Sequence, residues 1–135
     1  MGIICPIEQP NGIVTNYHRI TGLSILTNGS NVIEISSYIS AAKRQEEAEH
    51  TARLMAGDNN AECDVFINAR VYSAEYDPSM TVKSAYEYIM SLPEFKDAEM
   101  DTTEFMLDAE ATIPEIQAEL AANEPTPEET SEEGE

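Results

Sequence analysis

The sequence predicts an α+β fold: a small antiparallel sheet with a long hairpin, one packed helix, one solvated helix and an acidic C-terminal tail. Three observations lead there. Residues 13–39 are rich in β-branched and aromatic side chains on both sides of Thr27-Asn28-Gly29-Ser30, a strong hairpin turn. After Thr81, Val82, Ala85, Tyr86, Ile89 and Met90 recur at helical spacing until Leu92-Pro93 ends the run. All seven basic residues fall at or before Lys96, which divides the 135-residue chain into a domain at 1–96 and an acidic tail at 97–135, partly helical or disordered.

Residues 3–8 suit a short edge strand, ended by the turn formers Gln9-Pro10-Asn11-Gly12. In the hairpin, a two-residue Asn28-Gly29 turn would set Leu23 opposite Glu34. A three-residue loop ending at Gly29 sets Leu23 opposite Ile33, and side-chain parity favours it, with Gly29 supplying a positive φ. Leu23, Ile25, Ile33, Ile35 and Ile39 then share the buried face, Ser24, Glu34 and Ser36 face outward, and Gly22 marks a bulge or a bend. Ser40 caps a helix that runs to about Ala56 and stops at Gly57. Its apolar stripe, Ala41, Ala48, Ala52 and Met55, is thin, so this is the solvated helix, one that packs only against a partner. Residues 65–74 carry bulk on both faces, with Val65, Ile67, Ala69 and Val71 on one and Phe66, Arg70 and Tyr72 on the other, which reads as a central strand. Thr81 caps the helix that covers the sheet. Beyond Lys96 two apolar groups stand out, Phe105-Met106-Leu107 and Ile113, Ile116, Leu120, the second with Pro114 near a helix start. The last dozen residues, rich in Glu, Pro and Thr, have the composition of disorder.

Charge and cysteine content exclude several functions. The formal charge of −19 divides into −5 for residues 1–96 and −14 for residues 97–135, and such a field repels DNA, RNA and anionic membrane. No direct nucleic-acid or membrane partner is expected, and no segment approaches the ~20 apolar residues of a membrane span. Two cysteines, Cys5 and Cys63, are too few and too far apart for a disulfide framework and read as free thiols. The N-terminus lacks the basic, then apolar, pattern of a signal peptide.

A search for catalytic chemistry finds little. Only His18 and His50 could serve as imidazole bases, and neither cysteine sits in a catalytic motif. The Cys and His residues are scattered singly rather than at zinc-ligand spacing, and the glycines never cluster into a phosphate loop. No stretch matches a calcium loop, and the many carboxylates are most simply solvated. Asn28-Gly29-Ser30 matches a glycosylation acceptor but reads as a turn. No catalytic residue, metal or cofactor is assigned.

Recognition is better represented. Tyr17-His18-Arg19 places an aromatic ring, an imidazole and a guanidinium on one strand, residue types common at interface hot spots. Tyr72 and Tyr88 belong to a second aromatic group with Tyr76 and Tyr86, of which Tyr86 is expected in the core and Tyr88 exposed. Phe105 and Ile116 mark the tail segments that could fold onto a partner. The partner-binding candidates are therefore Tyr17, His18, Arg19, Tyr72, Tyr88, Phe105 and Ile116.

The stretches Asn16-Tyr17-His18-Arg19-Ile20, Ile35-Ser36-Ser37-Tyr38, Tyr86-Glu87-Tyr88-Ile89 and Leu92-Pro93-Glu94-Phe95 resemble small proteins encoded among the virion genes of tailed bacteriophages, near tail, baseplate or host-recognition genes. The likeness covers roughly residues 12–98 and leaves out the helix at 40–56 and the tail. It implies a virion-associated or accessory role without assigning sites: a non-enzymatic structural or assembly protein, made in the host cytoplasm and carried in the virion, binding other virion proteins or itself. The alternative is an acidic mimic of nucleic acid that inhibits a host nuclease or DNA-binding protein. A third class, an enzyme, would require His18 and a cysteine to share a pocket with an acid.

Overall fold

A computed structural model describes residues 1–123. Five strands form one antiparallel sheet: β1 (Gly2–Glu8), β2 (Val14–Ile25), β3 (Ser30–Tyr38), β4 (Ile67–Glu75) and β5 (Glu99–Asp101), in the spatial order β4-β3-β2-β1-β5. Among the described residues the helices are α1 (Ala41–Met55), α2 (Val82–Met90), α3 (Phe105–Glu110) and α4 (Ile113–Asn123), with a 3-10 turn at Pro93–Phe95. This is the expected α+β class. The expectation of disorder for the last dozen residues lies outside the described residues.

The hairpin register is the one that parity favours, with Leu23 opposite Ile33. Its turn is closed by the Gly29 amide donating to the Leu26 carbonyl at 2.9 Å, and the positive φ of 58° falls on Asn28 rather than Gly29. Asn reaches this left-handed region more readily than most residues, so the turn needs no glycine there. The register slips between Ile20 and Gly22, placing the expected bulge at Thr21-Gly22.

Residues that pair across the sheet share a face, which assigns each side to a helical layer. Ile3, Ile20, Ile33 and Ile35 look toward α2 and meet Ala85, Tyr86, Ile89 and Phe95 in the main core. The Tyr86 hydroxyl fastens the layers: it receives the Ile20 amide and donates to the Met1 carbonyl, both at 3.0 Å. Thr81 and Ser84 form a reciprocal capping box that starts α2, as the Thr81 cap anticipates.

The opposite face is covered by α1. Ser40 caps it, and it ends with the Gly57 amide on the Leu54 carbonyl and the Asp58 amide on the Arg53 carbonyl, a closing pair that uses Gly57 at φ 104°. This helix is not free of contacts, contrary to its thin stripe. Ala48 and Ala52 are fully buried against Ala109 and Ile116, so α3 and α4 supply the apolar surface that α1 lacks.

Three further expectations are corrected. The charge boundary at Lys96 is not a packing boundary, because β5 pairs with β1 and α3 and α4 pack on α1. Ile39 lies just past the end of β3 and is exposed, while Tyr38 and Ser36 are buried; the large ring of Tyr38 is enclosed beneath α1. The strand at 65–74 begins at Ile67 and is the edge of the sheet, not its centre.

Candidate functional site

The predicted hot spot on β2 is interior. Tyr17 is 1% exposed and His18 0%, on opposite faces of the strand. Tyr17 meets Tyr38 and Phe105 edge to face, with ring centres 6.0 and 5.7 Å apart, and its hydroxyl has no hydrogen-bond partner among the described residues. Burial, and then the nearby charge of Asp101, raise its pKa. Gly2 lies directly over this ring, where a Cβ would come within 2.3 Å. His18 is held on both nitrogens, Nδ1 at 2.7 Å from Ser37 Oγ and Nε2 at 2.7 Å from the Cys5 carbonyl. A carbonyl only accepts, so Nε2 carries the proton and Nδ1 receives the Ser37 hydroxyl. Burial lowers the pKa of this imidazole.

Arg19 is half-buried and belongs to an anchor between sheet and helix. Its Nε donates to the Tyr38 hydroxyl at 3.0 Å, which donates at 2.7 Å to Glu47 Oε1, and the same oxygen accepts from the buried Arg44. One carboxylate thus holds two guanidiniums and a phenol, and it ties α1 to β2 and β3. A cavity of about 380 Å³ opens beside Tyr17, Arg19 and Arg44, with Lys83 and Glu104 at its rim.

The composition of the tail predicts that Phe105 and Ile116 await a partner. They are instead packed on α1 and the sheet, Ile116 to 8% exposure, since a short run of apolar side chains finds the alanine stripe of α1 within the same chain. Tyr72 and Tyr88 are half-buried under the main core rather than displayed, and their hydroxyls donate to Glu94 at 3.0 Å and to the Ser73 carbonyl at 3.2 Å.

Cys5 and His18 are neighbours but not a nucleophile and its base. The imidazole nitrogens are both engaged elsewhere, and the Cys5 thiol points to the Glu94 carbonyl, with burial and then Asp97 raising its pKa. A second pairing, not anticipated, brings Cys63 and His50 to one groove with Glu46, Glu49 and Asp64. Burial and then the carboxylates around Cys63 raise its pKa, opposing a thiolate. Among the described residues no group of three or more His, Cys, Asp or Glu is arranged to hold a metal ion.

The sheet edge at β4 has a different character. Nine residues long, it pairs with β3 from Ser30 opposite Glu75 to Tyr38 opposite Ile67 without a register shift. It has no proline, no lysine and no bulge, devices that commonly protect an edge, and its charges are Arg70 on the α2 side and Glu75 at its end. On the face away from α2, Ile67, Ala69 and Val71 form a row of apolar side chains in water, with Val71 64% exposed at the middle of the strand. The other edge, β5, is only three residues long and carries Glu99 and Asp101. The signal for this site is present in the sequence: bulk on both sides of residues 65–74 is the pattern of an interior strand, placed by the fold at an edge.

The chain matches no protein-family model, and no curated protein and no solved structure matches it.

Proposed function

We propose that this chain is a non-enzymatic structural or assembly-interaction protein of a tailed bacteriophage, joined within the particle, to another virion protein or to a second copy of itself, through the open β4 edge. The observation that carries the reading is Val71, exposed at the centre of a nine-residue edge strand. Adding a strand there would satisfy a row of backbone donors and acceptors and flank the Ile67-Ala69-Val71 row with cross-strand side chains. The resemblance of residues 12–98 to small virion-gene products supplies the setting.

Particles purified from the source test it by mass spectrometry, comparing the natural chain with Val71→Lys. The natural chain in stoichiometric amounts and the variant absent or depleted is the expected result. Absence of both from particles refutes the reading.

One observation favours a second reading, the acidic inhibitor. The carboxylates of residues 97–123 are not on a loose tail: Asp108, Glu110, Glu115 and Glu119 lie on α3 and α4, as a rigid mimic of phosphates would require. Capture of a nuclease or DNA-binding protein through α3 and α4, with no copies in particles, would establish it.

A further inference from the structure

We propose that the β4 edge binds a second copy of this chain, two β4 strands pairing antiparallel about Val71 to join two five-stranded sheets into one. The inference rests on the reading of β4 as an interaction edge and names its occupant.

A strand that pairs with itself must be self-complementary, and the sequence Ile67-Asn68-Ala69-Arg70-Val71-Tyr72-Ser73-Ala74-Glu75 is so when centred on Val71. Val71 then meets its own copy, and Ala69 meets Ser73, on the face that is exposed in the single chain. On the other face Arg70 stands directly across from Tyr72 of the second copy. Tyr72 holds Glu94 through its hydroxyl at 3.0 Å, so each Arg70 arrives beside the second copy's Glu94. Within one chain that ion pair is long, 3.9 Å, and both side chains are substantially exposed, which leaves the guanidinium free to bridge. Arg70 is the single positive charge on β4, and the register places it where the other copy presents a negative one.

Pairing also resolves the mismatch between sequence and position. Bulk on both faces of β4 is costly at an edge, where Val71 and Ile67 face water, and suits the interior of a ten-stranded sheet. The opposing influence is net charge: two chains at −19 repel over long range. Salt screens that repulsion, the Debye length falling from about 10 Å at 0.1 M to about 3 Å at 1 M, whereas backbone pairing and apolar burial persist. Association should therefore strengthen as salt is raised.

Sedimentation velocity on the full chain, from micromolar to millimolar and at low and high salt, reads the outcome. A monomer–dimer equilibrium that tightens with salt is expected for the natural chain. Val71→Lys should be monomeric throughout, and at concentrations where the natural chain is itself monomeric the two should melt alike, because the side chain projects into solvent. That variant lowers the net negative charge, so general repulsion would predict the opposite. Arg70→Glu should weaken the dimer at least tenfold, and Arg70→Glu with Glu94→Arg should restore it. A natural chain that stays monomeric at every concentration and salt, or a dimer indifferent to Val71→Lys, overturns the proposal. If the natural chain is monomeric while Val71→Lys is still lost from particles, the edge serves another virion protein; self-pairing fails and the assembly reading stands. If a Val71-dependent dimer forms but is absent from particles, self-pairing stands and the assembly reading fails.

Discussion

Replacing Glu47 with alanine removes the carboxylate that Arg44, Arg19 and the Tyr38 hydroxyl converge upon. The Arg44 side chain is 6% exposed, so it cannot recover water in the folded state without opening the contact between α1 and the sheet. Breaking one partner of such a buried pair costs about 3–5 kcal/mol, largely as the penalty of an uncompensated charge. An exposed pair would cost no more than about 1 kcal/mol. For a chain of this length the larger figure corresponds to a fall in Tm of roughly 10–20 °C. Replacing both Arg44 and Glu47 with methionine removes the charge and its partner together and should cost much less than the sum of the single variants Arg44→Met and Glu47→Met, giving a strongly non-additive double-mutant cycle. Urea denaturation of the natural chain, the two single variants and the double variant measures it. A Glu47→Ala loss of about 1 kcal/mol or less, with additive singles, would refute the claim that this network anchors α1.

The packing and the buried imidazole set two further expectations. A chain ending at Lys96 loses β5, the Phe105 ring on Tyr17 and the cover over Ala48 and Ala52, and should lose the cooperative unfolding of the full chain; differential scanning calorimetry compares the two. His18 is buried with its pKa lowered, so the neutral ring is favoured in the fold. The unfolded chain takes up the proton near pH 6.5 and the folded chain only at lower pH, so the His18 contribution is complete above about pH 6.5 and is lost as pH falls below it. Relief of carboxylate repulsion acts in the other direction, and the His18 effect is therefore read as the difference between the natural chain and His18→Gln in urea denaturation at pH 7.5 and 5.5, the natural chain losing more stability than the variant.

Local pattern was enough for the hairpin and the two capped helices. The Asn-Gly turn, the parity of Leu23 against Ile33 and the caps at Ser40 and Thr81 depend on residues close in the chain, and each choice is enforced by which face a side chain would otherwise point to. The bulge at Gly22 was legible for the same reason. What the sequence left unmarked depends on contacts between distant segments. Tyr17 and His18 have the composition of a recognition surface, and only the arrival of α3 on one face and Phe95 on the other makes them core. Phe105 and Ile116 resemble docking residues because their acidic surroundings suggest a solvated tail, whereas the alanines of α1 need just such a short apolar cover.

The sequence by itself determined the α+β class, the hairpin and its register, and the two capped helices, because these follow from backbone preference and the period of apolar residues. Tertiary structure alone decided that residues 97–123 complete the fold and that β4 lies at the edge. Strand order is set by which segments can bury their faces against one another, and a strand's own residues record the environment it suits without recording the neighbours it finds.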